Sequence, residues 1–145
     1  MSVMTPTIYT GGTFDLLHPG HINFLEKCKE LAGINGKLIV CLNSDEFVER
    51  FKGNKPIMNA QERHIILKSC RFVDEVYINQ GDEDSKIMID KVRPNYIAIG
   101  SDWARRDYYK QMDFTQDWLD QRNIGLIYIT YSSNVSSTSI KTRFK

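Results

Sequence analysis

Short runs of consecutive apolar residues alternate along this chain with segments in which apolar residues recur every three or four positions. The runs are typical of strands buried on both faces, and the other segments are typical of amphipathic helices. The pattern predicts strands at 8–10, 37–43, 72–79, 96–100 and 126–131. It predicts helices at 21–32, 45–51, 60–70 and 84–92, a helical stretch within 108–123, and a terminal helix that holds Ile140 and Phe144.

Polar residues mark the boundaries of several of these elements. Ser44 precedes the second predicted helix and Asn59 precedes the third, and both side chains are typical of helix N-caps. Glu62 stands three residues after Asn59, which is the spacing of a capping box. Asn35-Gly36 indicates a turn between the first helix and the next strand.

The alternation of strands and helices predicts an α/β fold with a parallel sheet, right-handed crossovers and helices on both faces. The length of 145 residues suits one domain, which we expect to span residues 1–145. Ligands of such sheets lie beyond the carboxyl ends of the strands. The polar segments that follow predicted strands are 11–21, 43–45, 101–106 and 131–138.

Composition narrows the class of protein. Apolar residues make up 41% and charged residues 26%, with a net charge of +1, so a chain built mainly to coat nucleic acid or anionic lipid is not indicated. The N-terminus has no signal-peptide pattern, and no apolar run approaches the length of a membrane span, so we expect a cytoplasmic protein. Three widely spaced cysteines predict small buried side chains of a reduced protein rather than a disulfide or zinc site.

The segment GGTFDLLHPGH, residues 11 to 21, carries the strongest candidate chemistry. Glycines in a turn between strand and helix allow backbone N–H groups and the helix N-terminus to face an anion. His18 and His21 stand at the start of that helix, where two imidazoles could stabilise charge on phosphoryl oxygens. The alternative is a capped turn with structural histidines.

The same segment resembles the H-x-G-H signature of the nucleotidyltransferases, which join a nucleotide to a phosphate-bearing acceptor and release pyrophosphate. The resemblance extends over essentially the whole chain, through SDEF (44–47), KGNKPIMN (52–59), QER (61–63), RFVDEV (71–76), GSDW (100–103) and VSSTSI (135–140). RFVDEV and GSDW are similar to the cytidylyltransferase branch, such as the glycerol-3-phosphate cytidylyltransferases. The fold implied is Rossmann-like, with five parallel strands in the order 3-2-1-4-5.

The resemblance also implies roles around the nucleotide phosphates. His18 and His21 would contact the phosphates and stabilise the transition state. A pocket for the α-phosphate would be lined by Gly12, Thr13 and Phe14. Either of two lysines in the basic loop would reach the phosphates as that loop closes, and both remain candidates: Lys52 and Lys55.

Three more residues have candidate roles, one at the acceptor and two in supporting the structure. Arg63 would engage the acceptor phosphate, and an exposed helix arginine is the alternative. Asp15 is interpreted as a structural acceptor for turn amides rather than as a catalytic group. Asp74 would orient neighbouring side chains or serve an interface, with a surface residue at a strand edge as the alternative.

The resemblance implies that two later segments contact the base and the outer phosphates of the nucleotide. Asp102 would accept from the exocyclic amine of cytosine or adenine, with Trp103 beside the nucleotide. The β- and γ-phosphates would lie at a helix start with Ser136, Ser137 and Thr138.

This last segment departs from the cytidylyltransferases. They read R-T-x-G-I-S-T/S-T where this chain has Tyr131 for the arginine and Asn134 for the glycine, which weakens the assignment to cytidine. As a hypothesis, the missing charge comes from Arg105, Arg106 or Arg143.

The favoured function is therefore transfer of a nucleotide, CMP from CTP, to a phosphorylated small molecule such as glycerol 3-phosphate. Alternatives are an adenylyltransferase that uses ATP with a sugar phosphate or pantetheine phosphate, and a catalytically silent nucleotide-binding protein. A redox dinucleotide domain is not indicated, because G-x-G-x-x-G is missing after the first strand. Mg²⁺ would accompany the triphosphate without a dedicated protein cage. The resemblance implies a homodimer, and no nucleic acid or membrane partner is expected.

Overall fold

Five parallel strands form a sheet in the order β3-β2-β1-β4-β5, which confirms the predicted topology. The computed structural model describes residues 5–79, 85–100, 114–130 and 142–143. Within them the strands are β1 Thr7–Gly12, β2 Lys37–Leu42, β3 Glu75–Ile78, β4 Tyr96–Gly100 and β5 Gly125–Ile129. Because all five run in one direction, their carboxyl ends meet at one edge of the sheet.

Helices connect these strands, and their starts follow the local signals in the sequence. In the described residues they are α1 Pro19–Ala32, α2 Asp45–Lys52, α3 Ala60–Lys68, α4 Lys86–Val92 and α5 Gln116–Gln121. The Ser44 hydroxyl caps α2 by accepting from Phe47 N–H at 3.1 Å. Asn59 and Glu62 form the predicted capping box at the start of α3, with reciprocal bonds of 2.9 and 3.0 Å.

The sheet is covered on both faces, as the alternation predicted. Successive residues of a strand point to opposite faces, so Ile8 and Tyr9 of β1 enter different apolar clusters. One cluster packs α1 and α3 against the sheet and includes Phe24, Leu25, Cys28 and Leu67. The other packs α4 and α5 against the opposite face and includes Met88, Ile89 and Leu119.

The third strand is shorter than the run 72–79 predicted. Val73 N–H donates to Cys70 O at 3.1 Å, so the chain is still turning after α3 at that point. Pairing with β2 begins where Asp74 N–H donates to Leu38 O at 2.9 Å, and β3 follows. Apolar side chains before that point pack under the turn rather than in the sheet, which is why hydrophobicity overextended the strand.

Two of the three cysteines are buried, as predicted. Burial raises the pKa of the Cys28 thiol to about 12 and that of Cys41 to about 11, so both remain protonated small side chains at neutral pH. Cys70 is only half-buried. Among the residues that the structure describes, no helix has both the length and the apolar character needed to cross a membrane.

Candidate functional site

The candidate site lies at the carboxyl ends of β1 and β2, where the chain enters α1 and α2. Asn43 N–H donates to Gly12 O at 2.9 Å, and Asn43 Nδ2 donates to Thr13 Oγ1 at 3.0 Å. The loop after β1 is therefore tied to the end of the neighbouring strand. Thr13, predicted to line an α-phosphate pocket, lies at the edge of the sheet where the fold places ligands.

His18 and His21 are held by reciprocal bonds at the N-terminus of α1. His18 Nδ1 accepts from Gly20 N–H at 3.0 Å, and His21 Nδ1 accepts from His18 N–H at 3.2 Å. The two rings stack with centroids 3.8 Å apart and planes 25° from parallel. The helix start thus caps itself with both imidazoles, and the capped turn and the candidate site are the same structure.

These bonds select the tautomer of each ring. A neutral imidazole whose Nδ1 accepts a hydrogen bond carries its proton on Nε2. The described part of the chain offers no hydrogen-bond partner to Nε2 of His18 or His21. Two stacked rings therefore present two N–H donors of one kind at the helix N-terminus.

Both imidazoles are neutral at physiological pH. Burial lowers the pKa of His18, of which 4% is exposed. Burial also lowers the pKa of His21 to about 4, helped by the neighbouring His18 and opposed by Asp15. Neutral rings favour hydrogen-bond donation to phosphate oxygens over proton transfer near pH 7.

Phe14 closes one side of this arrangement. Its ring centroid lies 5.3 Å from that of His21, and its edge lies over Gly12, where an added Cβ would be 2.8 Å from Cε2 of the ring. Only a glycine leaves space for the ring at that distance. Of the three residues predicted to line the α-phosphate pocket, Phe14 therefore packs against both Gly12 and His21, while Thr13 bonds Asn43 and Arg63.

Asp15 is buried, with 6% of the residue exposed, and binds backbone as predicted. Its Oδ2 accepts from Ile57 N–H at 2.8 Å, and its Oδ1 accepts from Met58 N–H at 2.9 Å. The amides belong to the segment before α3, and the sequence alone did not identify them. Asp15 therefore links the loop after β1 to a segment more than forty residues away.

Among the described residues Arg63 is the largest fully buried side chain, so the alternative of an exposed helix arginine is wrong. Its Nη2 donates to Asp45 Oδ1 at 2.7 Å, and Nη1 donates to Thr13 O at 2.9 Å and Asn43 O at 3.0 Å. Its Nε donates to Met58 O at 3.0 Å. The predicted contact with an acceptor phosphate stays a prediction, and it would have to use the one guanidinium N–H that these bonds leave.

The two candidate lysines differ in setting. Lys52 lies in the last turn of α2, just before the left-handed cap Gly53. Lys55 lies beyond that cap with a side chain that is 73% exposed, and its Nζ is 3.9 Å from Glu49 Oε2. An exposed pair at that distance contributes little to stability, so it does not fix the side chain. Which lysine reaches the phosphates stays a prediction.

Several predicted site residues lie outside the described part of the chain. They are Asp102, Trp103, Ser136, Ser137 and Thr138, together with Arg105, Arg106, Tyr131 and Asn134. The predicted contacts to the base and to the outer phosphates therefore stay predictions. Arg143 is described and exposed.

Sequence reasoning missed the roles of Asn43 and Asp45. It identified 43–45 as a polar segment after a strand, and it assigned Asp45 only to the first turn of α2. In the structure, the Asn43 side chain donates to the Thr13 hydroxyl. The Asp45 carboxylate accepts from the Arg63 guanidinium and, at 3.2 Å, from Ala60 N–H. The partners lie up to thirty residues away, so no local spacing signals the contacts.

The carboxylates near the candidate site are engaged by protein donors. No group of three or more His, Cys, Asp or Glu side chains within those residues could hold a metal ion. The carboxylates of Asp15 and Asp45 already accept backbone or guanidinium N–H groups. Mg²⁺ that arrives with a triphosphate stays a prediction.

A cavity of about 660 Å³ lies at the opposite edge of the sheet. It is lined by residues at the end of α4 and α5 and before β4 and β5, among them Asp90, Arg93, Asn95 and Arg122. None of the predicted site residues lines it. Among the described site residues, Thr13, His18 and His21 follow β1 at the carboxyl edge, away from this cavity.

Residues 9–143 match the model of the cytidylyltransferase-like family. An FAD synthase from Pyrococcus abyssi is 43% identical over 95 residues, which cover 66% of this chain and 62% of that protein. Against an FAD synthase from Korarchaeum cryptofilum, identity is 33% over 144 residues, covering 99% of this chain and 94% of the relative. The match to the Pyrococcus protein thus spans less than two thirds of its length.

Solved structures share the fold. A lipopolysaccharide core biosynthesis protein from Thermoplasma volcanium superposes with a TM-score of 0.69 at 22% identity, over 88% of this chain and 98% of that one. A pantothenate synthetase from Thermus thermophilus gives a TM-score of 0.58 at 11% identity, over 96% of this chain and 64% of the other. At these identities the likeness concerns the fold alone.

Proposed function

This chain belongs to the cytidylyltransferase-like family, and we propose that it is a nucleotidyltransferase that transfers AMP from ATP to a phosphate-bearing acceptor. The observation that carries the reaction type is the pair of imidazoles whose Nδ1 atoms are both occupied by backbone N–H groups. This leaves two neutral Nε2–H donors at a helix N-terminus, an arrangement suited to phosphate oxygens.

In the proposed reaction an oxygen of the acceptor phosphate attacks the α-phosphorus of ATP. The bond from the α-phosphorus to the bridging oxygen breaks, and pyrophosphate leaves with the electron pair. His18 and His21 donate from Nε2 to phosphoryl oxygens, which gain negative charge as the leaving group departs. No protein nucleophile is required, because the acceptor attacks directly. When bound, Mg²⁺ would neutralise part of the triphosphate charge.

The choice of ATP rests on the relatives and on one departure in the sequence. Both relatives described above are named FAD synthase, and FAD is an adenylyl group joined to the phosphate of flavin mononucleotide. Tyr131 stands where the cytidylyltransferase pattern has its arginine. We therefore propose flavin mononucleotide as the first acceptor to test. CTP with glycerol 3-phosphate, favoured by the sequence pattern alone, is the competing pair.

The test is a matrix of ATP, CTP, GTP and UTP against flavin mononucleotide, glycerol 3-phosphate, a sugar phosphate and pantetheine phosphate, read by pyrophosphate release. We expect turnover with ATP and flavin mononucleotide, and its loss in His21→Ala. His64→Ala is the matched control. This imidazole lies on α3, hydrogen-bonds to Val76 O of β3 at 3.2 Å, and takes no part in the candidate site. Turnover with CTP alone would overturn the choice of nucleotide. No pyrophosphate from any pair would favour a silent nucleotide-binding protein.

A further inference from the structure

The backbone of Ile57 and Met58 is gripped from two sides. Asp15 accepts both of their N–H groups, at 2.8 and 2.9 Å, and Arg63 Nε donates to Met58 O at 3.0 Å. These three bonds fix three consecutive peptide units around Ile57 and Met58, two residues that belong to no strand or helix. We call this arrangement, made by Asp15 and Arg63 around Ile57 and Met58, the Met58 clamp.

Asp15 is aimed at these amides by an uncommon backbone. The residues on either side of it, Phe14 with φ 52° and Leu16 with φ 51°, both adopt the left-handed conformation. A residue other than glycine in this conformation costs on the order of 1–3 kcal/mol. The conformation persists only where surrounding contacts hold it. Strain of this kind clusters at functional sites, and here it points a buried carboxylate at a distant segment.

Arg63 ties the Met58 clamp to the rest of the candidate site. Besides Met58 O, its guanidinium bonds Thr13 O after β1 and Asn43 O after β2. One rigid planar group thus contacts three separate segments at once and helps to set the distances between them. Asp45 completes the arrangement by accepting from Nη2 at 2.7 Å.

The basic loop lies between this fixed point and α2. The helix ends with Lys52 and its left-handed cap Gly53, and the clamped peptide units begin at Ile57. Lys55 is two residues before Ile57, so its Cα can move only as far as those anchors allow. The position of the clamp therefore limits where the lysines lie relative to His18 and His21.

We propose that Asp15 and Arg63 are positioning residues, which act through the Met58 clamp to place the lysine of the basic loop at the nucleotide phosphates. The proposal rests on the proposed function for its chemistry. A role confined to stability is the competing explanation. It is disfavoured because an ion pair around a buried guanidinium commonly adds little net stability over apolar packing, although breaking it is costly, whereas such a pair specifies geometry in some systems.

Asp15→Asn is the variant that tests the clamp. The amide side chain keeps the shape of the carboxylate but offers a single acceptor oxygen, so at least one of the two bonds to Ile57 and Met58 is lost. The change is measured near pH 7.5, where His21 is neutral and the lost charge of Asp15 does not alter its protonation.

Asp74→Asn is the matched control at the other edge of the sheet. The Asp74 carboxylate also accepts a backbone amide, from Leu38 at 2.7 Å, and a cation, Lys29 Nζ at 2.8 Å. Both substitutions remove a charge and a backbone acceptor. Only Asp15→Asn does so at the basic loop.

Two readouts follow from the proposal. In amide hydrogen exchange, Ile57 and Met58 are expected to lose protection in Asp15→Asn and to keep it in Asp74→Asn. In pyrophosphate release, kcat of Asp15→Asn is expected to fall roughly 10- to 100-fold, the order of loss that a misplaced group causes. Equal kcat in the two Asp→Asn variants, or unchanged protection of the two amides, would overturn the proposal.

Lysine variants identify the group through which the clamp acts. If Asp15 acts through Lys55, Asp15→Asn lowers kcat less in the Lys55→Ala background than in the wild type. In the Lys52→Ala background, Asp15→Asn then lowers kcat as much as it does in the wild type. Coupling to Lys52 instead would keep the proposal and assign the other lysine. Additive losses with both lysines would reject it.

Failure of the proposed function is a separate result. If the wild-type chain releases no pyrophosphate with any pair of substrates, the chemistry is wrong. The exchange rates of Ile57 and Met58 still decide whether Asp15 holds that segment.

Discussion

At both edges of the sheet an aspartate carboxylate accepts backbone N–H groups, but the two carboxylates join different kinds of segment. At the amino edge, Asp74 accepts Leu38 N–H while its own N–H donates to Leu38 O, so it continues the pairing of β2 with β3. At the carboxyl edge, Asp15 accepts two amides from a segment that pairs with no strand. One carboxylate extends the sheet, and the other joins loops.

The surroundings of the two carboxylates differ accordingly. Asp74 pairs with Lys29, and their side chains are 35% and 22% exposed, so solvent screens the ion pair. The Arg63 side chain is completely buried and bonds four protein groups. Positive φ values on both sides of Asp15 add local strain to the carboxyl edge. Positive φ values also occur at the amino edge, at Arg93 and Asn123, so the carboxyl edge is distinguished by its buried polar contacts rather than by strain.

The sharpest way to break this comparison is to remove one cation from each edge. Arg63→Met leaves three backbone carbonyls and Asp45 without their donor, and we expect it to cost about 3 kcal/mol or more. Lys29→Met removes a partly exposed pair and is expected to cost about 1 kcal/mol. Urea unfolding measures both. Equal losses in the free energy of unfolding would show that the buried Arg63 contributes no more to stability than the partly exposed Lys29.

The histidine pair gives the next largest effect, in activity. His21→Ala removes one of the two Nε2–H donors, and we expect kcat to fall roughly 10²- to 10³-fold, as for loss of one donor to developing charge. His64→Ala, away from the site, is expected to leave kcat within a few-fold. Pyrophosphate release measures both variants. Similar kinetics for the two would remove the histidine pair from the mechanism.

Acid should weaken the carboxyl edge through His21. Its pKa is near 6.5 in the unfolded chain and about 4 in the folded one, so between these values the unfolded state binds more protons. The contribution of His21 to the free energy of unfolding is then fully present above about pH 6.5. It falls by on the order of 3 kcal/mol as the pH drops toward 4. Urea unfolding from pH 4.5 to 8 should show a shallower slope for His21→Ala than for the wild type. An identical slope in the variant would contradict the assignment to His21.

Glycine substitutions sharpen the comparison with smaller effects. Gly36→Ala at the amino edge would place Cβ against the carbonyl oxygens of Ala32 and Pro6, which cannot move independently, and should cost about 1–3 kcal/mol. Gly12→Ala would meet the Phe14 ring, a side chain able to shift, and should cost about 1 kcal/mol. Since Phe14 packs on His21, the second variant should also lower kcat while the first should not. Thermal unfolding and pyrophosphate release check the pair, and the reverse pattern would count against the role of Phe14.

Much of the fold could be predicted because its signals are local. Ser44, Asn59 and Glu62 identified the starts of α2 and α3, since N-cap bonds span only three residues. The order of the strands followed from the resemblance rather than from hydrophobicity. The start of β3 was misplaced, because apolar side chains that pack under a turn look the same as those of a strand.

The candidate site was predictable only in part. His18 and His21 were identified at a helix start, and they lie there. Arg63 was expected to be an acceptor ligand or an exposed residue, and its burial among four protein partners was missed. A guanidinium in an amphipathic helix looks the same in sequence whether it faces solvent or the loops of a sheet edge.

The sequence by itself determined the period of the helices and strands, the caps, and the motif that places two histidines at the start of α1. Each of these depends on residues a few positions apart, so the pattern of side chains is sufficient. Only the tertiary structure decided the burial of His18, the contacts of Arg63 and the Met58 clamp. Those features arise where loops from separate strands meet at the carboxyl edge, and their bonds span from five to fifty residues.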